Sequence, residues 1–251
     1  MGWPVIGETL EFAMARRRGA QEIFFNDRMR KYSQDLFKTS LFGENMVVFC
    51  GASANKSLFH NDKKNLSTWW PRSMLKIVSS PELLEDVAQN DFALMRRSVV
   101  EFLKPEALQH FIPIMDSMAK EHLETEWSPY RKVKVYPLSM KYTFALACRF
   151  FLNVTNHNHV TKFADHFAII IQGLLSVPIN IPGTTFNRAI RAGKVVRQEI
   201  LEVIKQRKKE LSENNGTVAR DFLTHSLLEL DENRKAINEM IIASRIMSLL
   251  I

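Results

Sequence analysis

Apolar residues along the chain recur mostly at helical spacing, and only one stretch reads otherwise. Gly2, Pro4 and Gly7 punctuate an extended opening. An amphipathic helix is expected over Glu8–Arg17, with Leu10, Phe12 and Met14 among its apolar positions, and a second over Ala20–Tyr32. Two short apolar runs follow, Leu36–Phe42 and Met46–Cys50, separated by Gly43-Glu44-Asn45. They read as a strand hairpin. Beyond them the pattern is helical: a short helix over Ala52–His60, then irregular chain over Asn61–Leu75 around Trp69-Trp70-Pro71. Ser80-Pro81-Glu82 has the residue types that open a helix: a side-chain cap, a first-turn proline and an acid at the positive end of the dipole. Further helices are expected near Asp91–Leu103, Pro105–Trp127, Leu138–Asn153 and His157–Ser176. Pro178, Pro182 and Gly183 must break the chain into a loop before a long basic helix, Thr185–Glu213. The last apolar stripe, Met240–Ile251, ends without glycine, asparagine or a basic turn, which suggests a helix cut in its middle.

Composition narrows this picture a little. The 251 residues are 46% hydrophobic and 24% charged, enough for a buried core and too apolar for a disordered chain. The formal net charge of +7 favours an anionic neighbour, such as a membrane surface or an acidic protein, without requiring nucleic acid. The most apolar stretch, Phe167–Ile181, contains Gln172, Gly173 and Pro178 and is too interrupted to span a bilayer. No secretory signal is visible. Cys50 and Cys148 form neither a zinc spacing nor a disulfide framework, and Cys148 in Ala-Leu-Ala-Cys-Arg-Phe-Phe-Leu reads as a small buried hydrophobe.

Five blocks carry a family resemblance. They are Gly2-Trp-Pro-Val-Ile-Gly-Glu-Thr-Leu-Glu-Phe12, Phe102-Leu-Lys-Pro-Glu-Ala-Leu-Gln109, Tyr142-Thr-Phe-Ala-Leu-Ala-Cys-Arg149, Lys162-Phe-Ala-Asp-His-Phe167 and Val177-Pro-Ile-Asn-Ile-Pro-Gly-Thr-Thr-Phe-Asn-Arg-Ala-Ile190. In order and spacing they resemble the amino-terminal half of a plant cytochrome P450, of the triterpenoid-oxidising, beta-amyrin C-28 oxidase-like type. The resemblance implies a mainly α fold with a small antiparallel β-sheet, residues 1–251 forming a partial cytochrome P450 domain. It further implies a haem-thiolate monooxygenase that uses O2 and NADPH-derived electrons to hydroxylate a bulky terpenoid or sterol-like substrate. The implied partners are NADPH-cytochrome P450 reductase, the terpenoid substrate and the endoplasmic reticulum membrane. The membrane anchor, the oxygen-activation acid–alcohol pair, the Glu-x-x-Arg pair and the Phe-x-x-Gly-x-Arg-x-Cys-x-Gly loop of the family have no match here. The chain by itself is therefore expected to be inactive and to hold no catalytic residue or axial cysteine. A non-enzymatic helical remnant that binds a lipid or a protein is the alternative reading.

The same resemblance assigns individual roles. Arg96, in the helix before Phe-Leu-Lys-Pro, takes the place of an arginine that binds a haem propionate. A guanidinium suits a carboxylate through two parallel hydrogen bonds. Many relatives carry tryptophan or histidine four residues earlier, where this chain has Phe92, which donates nothing. Trp69, Trp70, Met74 and Leu75 fall in the family's substrate-covering loop, Leu174 and Leu175 in the pocket roof, and Leu249 on the central helix facing the haem pocket. Ordinary core packing accounts for these apolar residues equally well. Arg188, Arg191, Lys194, Arg197, Lys205, Arg207, Lys208 and Lys209 make the long helix basic, with Val195, Val196, Ile200, Leu201 and Ile204 as its apolar face. A solvated face is the plain reading and contact with an anionic membrane the functional one. His157 and His159, placed in a loop, lack neighbours that would complete a metal site.

Overall fold

The structure, a computed structural model, describes residues 7–60, 70–79, 90–213, 221–230 and 237–251. The helix opening expected at Ser80-Pro81-Glu82 and the residue Trp69 lie outside them. The chain divides into two compact units: Met1–Leu84 with Ile169–Ala192, and Glu85–Ala168 with Gly193–Ile251.

The first unit begins with α1 (Thr9–Arg17) and α2 (Gln21–Lys31), followed by β1 (Leu36–Leu41) and β2 (Glu44–Phe49). The strands pair antiparallel, with Leu36 opposite Phe49 and Leu41 opposite Glu44. The connection is therefore the two residues Phe42-Gly43, and Glu44, expected in the turn, already belongs to β2. Both turn residues have positive φ, 58° and 81°, the backbone of the type I′ turns that match strand twist. Phe42 is held in that unusual conformation from two sides. Its amide donates to the Thr9 hydroxyl at 2.7 Å, and its ring packs edge-on against Phe12. Phe12 also meets Phe24 and Phe25, so α1, α2 and the hairpin share one aromatic cluster. Leu10 and Met14 of α1 are exposed, which narrows the apolar stripe that the sequence suggests.

Two short helices follow, α3 (Ala52–His60) and α4 (Arg72–Val78). Part of the chain expected to be irregular is thus helical, because Met74, Ile77 and Val78 have the i, i+3, i+4 spacing that buries one side of a turn, and all three are buried.

The second unit opens with α5 (Asn90–Phe102). The single helix expected over Pro105–Trp127 is instead α6 (Pro105–Gln109), α7 (Ile112–His122) and a π turn, Leu123–Trp127. Pro113 explains the break. It has no amide hydrogen to offer Gln109, and its ring would strike that carbonyl, so it is tolerated only in the first turn of a new helix. Next come α8 (Val135–Leu152) and α9 (His157–Leu174). α8 starts earlier than expected because Pro137 also fits a first turn. Its end is set by Asn153, at φ 56°, with Asn153 N–H donating to Arg149 C=O and Val154 N–H to Cys148 C=O. That is the left-handed cap that asparagine tolerates. His157 and His159 lie in the first turn of α9, not in a loop.

The basic helix α10 runs over Thr185–Glu213 as expected, and α11 (Phe222–Leu228) and α12 (Glu239–Leu250) complete the described residues. The face of α10 needs correction. Val196, Ile200 and Ile204 are fully buried, but so nearly are Arg197 and Arg207, whereas Val195 is exposed. Burial lowers the pKa of Arg197. Arg207 closes a polar cluster. Its guanidinium pairs with Asp221, donates to the Thr224 hydroxyl and reaches the Leu152 carbonyl at 3.4 Å and Glu210 at 3.1 Å. Asp221 also caps α11 by accepting the Thr224 amide at 2.7 Å. α8, α10 and α11 are thereby joined through one arginine. Around them, Phe102, Phe111, Phe150, Phe151 and Phe222 form a continuous ring-to-ring core.

Candidate functional site

The residues assigned from the resemblance fall in both units. Arg96 projects from α5 as an exposed residue, and among the described residues it makes no ion pair. A guanidinium so placed is available to a carboxylate such as a propionate. Two residues on, Ser98 is buried and its hydroxyl meets both carboxylate oxygens of Glu229, at 2.8 and 2.7 Å. Glu229 in turn lies 3.7 Å from Arg245, a buried arginine of α12. Ser98, Glu229 and Arg245 therefore tie α5 to the chain after α11 and to α12, and so fix the helix that carries Arg96. Nothing in the sequence pattern points to this trio, because Glu229 lies 131 residues from its hydroxyl partner. Leu249, also on α12, is half-buried.

In the first unit, Trp70 is about one-third exposed just ahead of α4, Met74 is buried and Leu75 half-buried. Leu174 is buried at the end of α9, and Leu175 is half-buried in the loop that follows. Leu175 lines a groove of about 740 Å³ with Leu10, Met14, Val177 and Ile179. Its remaining wall includes the half-buried Arg16 and the exposed Arg17 and Arg188. The loop itself is built by Thr184, whose hydroxyl donates to the Ile179 and Ile181 carbonyls at 2.7 and 2.8 Å. Below it α9 and α10 cross tightly at Gly173. A Cβ there would stand 2.0 Å from the Ala189 Cβ and 3.3 Å from the Thr185 carbonyl oxygen.

The two cysteines do not suit a metal. Cys148 is fully buried within α8, and burial pushes its thiol up to about 12, so at neutral pH it is protonated and inert. This agrees with its expected role as a small hydrophobe. Cys50 follows β2 as a half-buried free thiol. His159 stacks on Phe163 and faces Glu199 at 3.3 Å. Among the described residues no three acids, histidines or cysteines gather as metal ligands, and no helix is long and apolar enough to cross a membrane. Arg96 is exposed on α5, Cys148 is buried within α8, and Cys50 is half-buried after β2.

Comparison with known proteins supplies the rest. The chain is 47% identical over 251 residues to beta-amyrin 28-monooxygenase of Medicago truncatula, and 43% identical over 254 residues to beta-amyrin 6-beta-monooxygenase of Solanum lycopersicum. Each match takes in the whole of this chain and 52% of the relative, so the chain spans about half the length of the curated relatives it matches. Among solved structures, retinoic acid-bound cyanobacterial CYP120A1 superposes with a TM-score of 0.81 at 27% identity, over 100% of this chain and 54% of that one. The haem domain of cytochrome P450DA shares the fold, with a TM-score of 0.70 at 15% identity, over 92% of this chain and 51% of that one. The family profile of cytochrome P450 matches residues 1–251, and the chain belongs to the cytochrome P450 family.

Proposed function

We propose that this chain supplies the amino-terminal half of a haem-thiolate monooxygenase that hydroxylates a bulky pentacyclic triterpenoid. The observation that carries the reading is the end-to-end alignment, at 43–47% identity, with enzymes that oxidise beta-amyrin at two different positions. That pair supports the scaffold as substrate class and leaves the oxidised carbon open. Haem, when bound, supplies the activation of O2, with electrons from a reductase. The residues of this chain hold and exclude. Arg96 pairs with a propionate and anchors the macrocycle through charge-assisted hydrogen bonds. Trp69, Trp70, Leu75, Leu174, Leu175 and Leu249 are the residues proposed to offer apolar surface to the substrate. Met74, of the same assigned set, is buried with Ile77 and Val78 on one side of α4 and offers the substrate little surface.

The membrane reading moves along the molecule. With Arg197 and Arg207 buried, the exposed cations of α10 are Arg188 and Arg191 at its start and Lys194, Lys205, Lys208 and Lys209 further on. Arg188 and Arg191, with Arg17 of α1, are the ones proposed to meet an anionic endoplasmic reticulum surface. The exposed apolar residues Leu10, Met14, Ile179 and Ile181 of the same unit suit that interface.

The 251 residues alone are expected to give no carbon monoxide band of a thiolate-ligated haem. Joined to the carboxyl-terminal half of the Medicago relative, they are expected to give that band. In the joined protein, Arg96→Ala should lower haem retention while leaving substrate preference in place. Trp70→Ala should keep haem and loosen coupling of oxygen consumption to product, because productive geometry tolerates little displacement. Full haem in Arg96→Ala together with haem loss in Trp70→Ala would overturn both assignments.

A further inference from the structure

A second groove, of about 490 Å³, lies in the other unit and takes no part in the roles above. It runs between α7 with its π turn and α8, and the first residues of α9 line it too. Ile114, Ser117, Met118 and His122 line it from α7, at the spacing that puts residues on one helix face. Lys141, Ala145 and Arg149 line it from α8, four residues apart in turn. Small residues, Ser117 and Ala145, stand midway along both walls and leave the void between them. The buried Nε2 of His122 finds no hydrogen-bond partner among the described residues.

The charges divide the groove lengthwise. At one end Lys141 is spent on Glu126, whose carboxyl is held below the usual range chiefly by the hydrogen bond from that lysine. Glu121 stands beside them. Eight residues along α8, about 12 Å away, Arg149 is half-buried and its guanidinium is matched only by the neutral Asn153 amide oxygen among the described residues. Val154 and Thr155, just beyond Asn153, line the groove too. A half-buried guanidinium with a neutral partner keeps an unspent positive potential. The middle, formed by Ile114, Met118, Ala145 and Val160, is apolar. We propose that this groove binds an apolar monocarboxylate, its carboxylate on Arg149 and its chain over Ala145 and Met118. With Glu126 paired to Lys141, the carboxylate of Glu121 disfavours the reverse orientation.

The test is calorimetric titration of the 251-residue chain with decanoate below its micellar concentration, with decanol as the neutral control. Saturable binding of decanoate at one site, at least tenfold tighter than decanol, is the expected result. A charged hydrogen-bonded contact is worth about that factor. Arg149→Gln should abolish the preference. Asn153→Asp, which gives Arg149 a carboxylate of its own and keeps a residue type that accepts the left-handed cap, should do the same without removing the arginine. Ala145→Leu and, separately, Ser117→Leu should fill the groove and weaken both ligands, with far-ultraviolet circular dichroism unchanged. No binding of decanoate, equal binding of decanoate and decanol, or unaltered binding in folded Asn153→Asp and Ala145→Leu would overturn the proposal.

Discussion

The first unit buries Arg28 in a polar cluster and the second buries Arg207 in another, and the two clusters differ in how far they are closed. In the first unit, Arg28 of α2 lies 3.4 Å from the Phe24 ring centre and bonds Glu8 at 3.1 Å and Glu11 at 2.8 Å. Thr39 of β1 donates to the same Glu8 oxygen at 2.6 Å. The cluster is open on one side, since Glu11 is 59% exposed. In the second unit, Arg207 and Asp221 are 8% and 3% exposed, Thr224 and the Leu152 carbonyl take further donors, and only Nε reaches an exposed acid, Glu210. Solvent can take over from Glu11 in the first cluster and from Glu210 in the second, but not from Asp221. A closed pair therefore depends on both members, whereas an open one degrades gradually.

The largest effect follows at Asp221. Asp221→Ala strands a buried guanidinium and removes the cap of α11, and should cost about 3–5 kcal/mol, measured by urea unfolding. A loss below about 1 kcal/mol would mean that the cluster behaves as a surface pair. Gly173→Ala comes next. The added methyl must displace Ala189, and overpacking of this kind costs about 1–3 kcal/mol, against about 1 kcal/mol gained in helix propensity. A net loss is expected, and Ala189→Gly in the same chain should recover it.

The smallest effect is at Glu8, and it carries a pH signature. Burial opposes ionisation of Glu8, but hydrogen bonds from Arg28 and Thr39 outweigh it and hold the carboxyl below its ordinary value. A carboxyl with a lowered folded-state pKa contributes stability above its unfolded pKa, near 4.5, and that contribution is lost as pH falls through the folded value. Glu8→Gln should therefore lower stability at pH 7 by about 1–2 kcal/mol, with the difference from the native chain shrinking below pH 4.5. A constant difference across that range would remove Glu8 from the ionised pair.

How much of this was legible in the sequence depends on the range of the interaction. The bounds of α10 could be read, because a 29-residue amphipathic run follows a proline-glycine loop. The hairpin was legible as two apolar runs, but not its turn, because phenylalanine at positive φ is held by Thr9 and Phe12, which lie some thirty residues away. The break at Pro113 was available from local chemistry, and periodicity obscured it. The buried state of Arg197 and Arg207 was not legible at all. A basic residue on an amphipathic helix looks solvated until its acid arrives, and Asp221 stands fourteen residues away on another helix. Among the site residues, Arg96 and the apolar set came from resemblance, and the Ser98–Glu229–Arg245 tie that steadies α5 carries no sequence signal.

The central claim is that these residues form half of a triterpenoid monooxygenase. Its most direct measurement is product analysis of the 251-residue chain joined to the carboxyl-terminal half of the Medicago relative, expressed with a plant reductase and supplied with beta-amyrin. The account predicts an oxygenated beta-amyrin that disappears when reductase is omitted. A folded, haem-loaded protein that leaves beta-amyrin and related triterpenes unchanged would contradict it.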